Sequence, residues 1–281
     1  MATQIQEYHC PTDWPNSQQI LARKDLRAVP LFLSPRPQAP ENWPVEAVVD
    51  LKKLKLDYIV EDGEYIKIGI LTSLQELVDS SLLKNKFNGI LGRCADLAGT
   101  LGLRQYANLG GLLYDSAAPQ ETILALLALD TQVLVRTLTN TDRVVDLADF
   151  LAGNAALLPG EVPFELRLSR ELAGALALER VARTPRDKAI VAAVVRVDEK
   201  DGLISSVGVA ISGAFAISQR VDSVEKQLSG RGLSPDELEK AAEAMTANAA
   251  PLGDLRGSVD YRKAMAGVIV RRALMAAVRQ A

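Results

Sequence analysis

Two short runs, Leu56-Asp57-Tyr58-Ile59-Val60-Glu61 and Tyr65-Ile66-Lys67-Ile68-Gly69-Ile70, alternate apolar with polar residues on either side of Asp62-Gly63. Period-two alternation predicts strands, and Asp-Gly predicts a tight hairpin turn between them. Thr72-Ser73-Leu74-Gln75 then has the spacing of a capping box. A helix is expected there to about residue 80, with Thr72 capping it and Gln75 reaching back. Val48-Val49-Asp50-Leu51 predicts a short strand before the hairpin. Ile90, Leu91, Ala95, Leu97 and Ala98 recur at helical spacing and predict a helix over 88–101. The apolar run Ile123-Leu124-Ala125-Leu126-Leu127-Ala128-Leu129 reads as a helix or buried packing segment. Residues 132–138 and 163–168 read as strands, with a short amphipathic helix over 145–151 between them.

The C-terminal part continues with strands over 176–181 and 189–197. Asp201-Gly202 turns the second into a third over 203–211. Ser234-Pro235-Asp236-Glu237 combines an N-cap residue, proline at the first helical position and a glutamate three residues on, predicting a helix over 235–247. Tyr261, Met265, Val268 and Ile269 place a last helix at the end of the chain. The N-terminal 45 residues differ: Pro30, Pro35, Pro37 and Pro40 forbid a regular helix and demote any strand to an edge, leaving a short helix expected over 17–24. Strands and helices in this order predict an α+β protein.

Composition narrows the chemistry. The 281 residues are 48% hydrophobic and 24% charged, with a net charge of −3, an ordinary globular balance that gives no reason to expect nucleic acid or an anionic membrane as partner. No apolar run reaches the roughly 18 residues of a membrane span. The segment around His9, Cys10, Asp13 and Trp14 lacks the basic start and apolar run of a signal peptide, so a cytoplasmic protein is expected. Cys10, Cys94 and His9 are the whole complement of cysteine and histidine. An iron–sulfur cluster takes about four thiolates and structural zinc about four ligands, so any metal centre must sit on another chain. One histidine excludes a Ser/His/Asp set, and no Gly-x-Gly-x-x-Gly motif is present.

The most distinctive stretch is Leu103-Arg104-Gln105-Tyr106-Ala107-Asn108-Leu109-Gly110-Gly111-Leu112-Leu113-Tyr114-Asp115, followed by the Leu/Ala run ending at Asp130. Two glycines side by side allow φ > 0 and let a ligand approach bare main-chain N–H groups. The stretch resembles the second flavin loop of the FAD-binding subunits of molybdenum hydroxylases, the carbon monoxide dehydrogenase medium subunit and the xanthine dehydrogenase FAD domain. That family reads Ile-Arg-Asn-x-Ala-Thr-Ile-Gly-Gly-Asn, then Leu-Leu-Ala-Leu-Asp. Arg104, Ala107, Gly110, Gly111 and Leu127-Ala128-Leu129-Asp130 match it. Asn108 stands for the family threonine and Leu112 for the asparagine after the glycines. Asp149-Phe150-Leu151 with Leu158-Pro159-Gly160-Glu161 is similar to the family's link into a strand. The tail Asp254-Leu255-Arg256-Gly257-Ser258-Val259-Asp260-Tyr261-Arg262, with Val270-Arg271-Arg272-Ala273-Leu274, resembles the family's ending.

The resemblance covers about residues 45–281. It implies two α/β subdomains of FAD-binding type, over 1–55 and 56–168, and a C-terminal domain over 169–281 with a three-stranded antiparallel sheet and helices. It implies FAD held by Asn108, Leu109, Gly110, Gly111 and Asp115, no catalytic residue, and electrons passing between iron–sulfur clusters and the flavin. Partners are then iron–sulfur and molybdenum-cofactor subunits, or further copies of the chain. Three positions depart from the pattern together. The first flavin loop, Ala-Gly-Gly-Thr/Ser-Asp-Leu in the family, faces Val29-Pro30-Leu31-Phe32-Leu33-Ser34-Pro35-Arg36-Pro37, which has no glycine. Leu112 cannot hydrogen-bond through its side chain, and the ring-stacking tyrosine is matched by Leu178. Two readings follow: an electron-transfer flavoprotein subunit, or a flavin-free paralogue kept for structure or assembly, its cleft filled by Leu31, Phe32 and Leu33. Arg36 is the nearby cation expected to substitute for the lost donors.

Overall fold

The computed structural model describes residues 5–35 and 45–279. The chain opens with β1 (Glu7–His9), α1 (Trp14–Leu21), β2 (Ala28–Pro30) and β3 (Ala47–Val49). They form a parallel three-stranded sheet in the order β1-β3-β2. Asp13 caps α1 by accepting from the Asn16 N–H at 2.9 Å, which starts the helix at Trp14, three residues before the expected position.

The middle of the chain runs β4 (Ile59–Asp62), β5 (Tyr65–Gly69), α2 (Leu74–Asp79), α3 (Ser81–Asn85), α4 (Ile90–Asp96), α5 (Leu101–Tyr106), α6 (Leu109–Tyr114), α7 (Glu121–Ala128), β6 (Gln132–Arg136), β7 (Asp142–Asp146), α8 (Leu147–Ala152) and β8 (Val162–Ser169). Its sheet has five antiparallel strands in the order β4-β5-β8-β6-β7. The Asp62-Gly63 hairpin is as expected, with Gly63 at φ 60°. The capping box falls one residue later than the sequence indicates: Ser73 caps and Glu76 reaches back. Thr72 is instead fully buried, and its hydroxyl donates to the Tyr58 carbonyl at 3.0 Å. The single helix expected over 88–101 is broken into α4 and the start of α5. Asn88 and Gly89 adopt left-handed φ before α4, and Gly99 (φ 144°) separates it from α5.

The last part is β9 (Ala175–Val181), β10 (Val191–Lys200), β11 (Leu203–Ser212), β12 (Gln219–Arg220), α9 (Asp222–Leu228), α10 (Pro235–Asn248) and α11 (Val259–Val278). Its antiparallel sheet has four strands, β12-β11-β10-β9, where the sequence predicts three. The fourth has two residues, pairing Ala210 with Arg220 and Ile211 with Gln219, and is too short to leave a periodic signal. This sheet is covered on both faces. One face packs on α7 and α4 and joins the large core of the first two-thirds of the chain through Leu176, Ala192, Val194 and Ala210. The other carries a separate core under α10 and α11. Every residue of α7 is buried, including the polar Glu121 and Thr122 of its first turn. The fold is α+β, with α7 packed between the C-terminal sheet and α4.

Candidate functional site

The double glycine is not a left-handed turn. Gly110 and Gly111 are the second and third residues of α6, and neither has positive φ. Their lack of a side chain serves close packing instead. A Cβ at Gly110 would lie 2.4 Å from the Phe32 ring, and one at Gly111 would lie 2.1 Å from the Leu33 carbonyl oxygen. The segment after β2 is therefore pressed onto the two glycines as a strap.

Hydrogen bonds fix the strap there. The Asn108 N–H donates to the Leu33 carbonyl at 2.8 Å. Asn108 Oδ1 accepts from the Leu33 N–H at 3.3 Å and caps α6 by accepting from the Gly111 N–H at 2.9 Å. The Leu109 N–H donates to Thr72 O (3.1 Å), Gly110 to Ile70 O (2.9 Å) and Leu112 to Asn108 O (3.2 Å). All five N–H groups from Asn108 to Leu112 thus end on protein acceptors. Asp115 is engaged too: Oδ2 accepts from the Ser34 hydroxyl at 2.6 Å, and Oδ1 from the Ala117 N–H at 2.9 Å. The Phe32 ring stacks on Tyr114 at 5.5 Å, and Tyr114 meets Phe150 edge-on at 6.0 Å. Leu112 is buried at 1% exposure. The five expected cofactor-binding residues are brought together, around the strap. Of the residues expected to fill the cleft, the Phe32 ring lies on Gly110 and the Leu33 backbone on Gly111, while the Leu31 N–H donates to the Val49 carbonyl at 2.9 Å; Arg36 is outside the described residues.

Beyond α6 the chain is tied to the C-terminal sheet. The Lys188 ammonium donates to Ala117 O (2.6 Å), and the Ser218 hydroxyl to Gln120 Oε1 (3.0 Å). Glu121 and Arg180 form a buried ion pair at 3.1 Å. Burial pushes the Glu121 carboxyl above the usual carboxylate range, against the pull of Arg180. Gln120, Glu121, Lys188 and Ser218 border a cleft of about 170 Å³ also lined by Phe215 and Leu252. Leu178, in the place of the family's aromatic, lies half-buried on β9.

The other matched motifs are structural. Arg104 donates to the Asp96 and Gly99 carbonyls at 3.2 and 2.7 Å and to Gln75 at 2.9 Å. Asp130, at φ 50°, receives Arg196 at 2.9 Å and also pairs with Arg220. Arg196 is only 2% exposed and donates as well to Ala128 O at 3.0 Å, tying the end of α7 to β10. Periodicity gave no signal for it, because it stands in a run of valines that reads as core. Arg262 of the tail donates to the carbonyls of Ile190 and Gly257 and to Asp254 at 2.7 Å, locking α11 onto the sheet. Partial burial works to raise the Asp254 carboxyl, but the bonds from Arg262 and from the Arg256 and Gly257 N–H groups outweigh it and bring it to about 2.

This layered α+β chain, with a flavin-loop motif in its middle and an Arg-Gly-Ser tail, is of the flavoprotein-subunit class. Residues 38–168 match the FAD binding domain in molybdopterin dehydrogenase, and residues 177–277 the CO dehydrogenase flavoprotein C-terminal domain. The chain belongs to the FAD-binding, medium-subunit family of the molybdenum hydroxylases. It is 26% identical over 236 residues to the carbon monoxide dehydrogenase medium chain of Hydrogenophaga pseudoflava, covering 83% of this chain and 82% of that one. It is 27% identical to the nicotine 6-hydroxylase medium subunit of Paenarthrobacter nicotinovorans, covering 82% and 81%. Among solved structures it resembles reconstituted CO dehydrogenase from Oligotropha carboxidovorans, with a TM-score of 0.86, 26% identity and all of both chains covered.

Proposed function

We propose that this chain is a medium-type subunit of a molybdenum-hydroxylase-like complex that packs against iron–sulfur and molybdenum-cofactor subunits without gripping a flavin of its own. One observation carries the reading: every N–H from Asn108 to Leu112 is taken by a protein acceptor. A pyrophosphate is held by bare N–H donors, and this backbone offers it none. The strap that closes the place also lacks the glycines a phosphate loop needs, and residues 31–34 are stacked and hydrogen-bonded into the fold. The residues present therefore do not fit FAD in this arrangement. Losing one loop of donors and the ring-stacking aromatic removes ~4 kcal/mol, about a thousandfold in affinity. On this reading the units over 1–55, 56–168 and 169–281 are retained as packing modules, and Asn108, Leu109, Gly110, Gly111 and Asp115 hold the strap.

The second reading, a flavoprotein subunit passing electrons between iron–sulfur clusters and FAD, is favoured by the family match over residues 38–168. It requires the strap to leave α6, freeing the Asn108 N–H and the Asn108 side chain. The absorbance of the purified chain decides between them. A colourless protein is expected; a stoichiometric flavin band refutes the proposal.

A further inference from the structure

Three buried side-chain atoms lack a hydrogen-bond partner among the described residues: Glu121 Oε1, Thr122 Oγ1 and Arg180 Nε. All three meet at the start of α7. Glu121 and Arg180 approach to 3.1 Å, yet the Arg180 Nε–H is not aimed at the carboxyl oxygen, so the ion pair carries no hydrogen bond. Buried polar atoms in folded proteins are nearly always paired, and a cluster of exceptions calls for an explanation. Glu121 is 2% exposed and is the least exposed residue lining the 170 Å³ cleft, so it forms the floor.

The walls of the cleft are fixed. Gly213, at φ 76°, seats the loop between β11 and β12, because a Cβ there would lie 2.1 Å from Ile190 O. The Ala250 N–H donates to Ala214 O at 2.9 Å, and the Ser218 hydroxyl to Gln120. The Asp254 turn is tied by Arg262 and by the Arg256 and Gly257 N–H groups. A pre-formed pocket loses little freedom when it is filled.

Depth orders the chemistry. Above the Glu121 floor, Phe215, Ile217 and Leu252 give an apolar wall, with Leu252 70% exposed. The Arg256 side chain, 46% exposed, stands at the mouth. Three cations, Lys188, Arg256 and Arg262, line the cleft against two carboxylates, Asp254 and Glu121, and Glu121 is already matched by Arg180. The surplus is positive, which suits an anion. The volume is close to the roughly 150 Å³ of a cavity that takes benzene. None of Asn108, Leu109, Gly110, Gly111, Asp115 and Leu178 lines this cleft, so it is separate from the place the strap closes.

We propose that the cleft binds a small hydroxylated aromatic carboxylate, with its hydroxyl on Glu121, its ring against Phe215 and Leu252, and its carboxylate towards Lys188 and Arg256. A hydroxyl both donates and accepts, so it satisfies the Glu121 carboxyl whether ionised or, as burial favours, protonated.

The test is calorimetric titration of the full-length purified chain with para-hydroxybenzoate, whose carboxylate and hydroxyl lie at opposite ends of one ring. Saturable one-to-one binding is expected. Benzoate, which lacks the hydroxyl, and phenol, which lacks the carboxylate, are each expected to bind at least about tenfold more weakly. Arg256→Gln is expected to weaken para-hydroxybenzoate about tenfold and to leave phenol unchanged. Ala216→Trp, at an exposed position on the rim, is expected to abolish binding without lowering the melting temperature. Absence of saturable binding at millimolar para-hydroxybenzoate overturns the proposal. Benzoate binding as tightly as para-hydroxybenzoate overturns it too, as does binding that both variants leave untouched.

Discussion

Replacing Gly111 by alanine tests whether the double glycine serves the strap. The new Cβ would lie 2.1 Å from the Leu33 carbonyl oxygen and 2.5 Å from the Ser34 nitrogen. Both are backbone atoms, so no rotamer change relieves the overlap and the strap must move. Moving it forfeits the two Asn108–Leu33 hydrogen bonds and the Ser34–Asp115 bond, about 1 kcal/mol each. It also uncovers part of the Phe32 ring, a further ~1.5 kcal/mol. Against this stands the helical preference for alanine over glycine, ~1 kcal/mol. The net expectation is a loss of about 3.5 kcal/mol, seen as a fall in melting temperature of roughly 5–10 °C. Gly102 in α5 is the internal control, because a Cβ there meets nothing within 4 Å. Gly102→Ala is expected to stabilise by up to ~1 kcal/mol. A Gly111→Ala variant as stable as Gly102→Ala would show that the strap is not seated on α6.

Asn108→Ala removes the α6 cap and the acceptor for the Leu33 N–H, and is expected to cost about 2 kcal/mol in urea unfolding. Arg262→Met leaves the Ile190 and Gly257 carbonyls without their donor and is expected to cost about 3 kcal/mol in the same assay. Asp254 is ionised in the fold down to about pH 2, below its ordinary 3.8, so its contribution is present above that ordinary value and is lost as the pH falls towards 2. The stability difference between wild type and Asp254→Asn is therefore expected to be flat above pH 4 and to shrink between about pH 4 and pH 2; a difference independent of pH down to 2 would refute the assignment.

Much of the fold was legible because its signals are local. The Asp62-Gly63 hairpin and the helix at Pro235 each carry their own turn or cap chemistry, and both stand where that chemistry puts them. The errors have physical causes. Thr72 and Ser73 are both capable caps, and burial of Thr72 beneath Tyr58 decided between them. The apolar spacing over 88–101 is helical throughout, but Asn88-Gly89 and Gly99 are residues that readily adopt positive φ, and the helix is interrupted at them. The fourth C-terminal strand has two residues, too few for any alternation to show in the sequence. At the candidate site, the motif led to Asn108, Gly110, Gly111 and Asp115, which the fold brings together with residues 32–34. The role of the glycines was not legible, since a pair of glycines is equally suited to a turn with φ > 0 and to a helix pressed by another backbone. Arg196 and Arg220, which meet at Asp130, come from distant stretches that only the fold unites.

The central claim is that α6 is closed to a dinucleotide phosphate by the chain's own strap. Calorimetric titration of the full-length purified chain with FAD tests it most directly. The account predicts no saturable heat up to FAD concentrations of roughly 100 µM. Stoichiometric binding with micromolar or tighter affinity would contradict it, and would mean that the strap leaves Asn108 and Gly110-Gly111 when the flavin arrives.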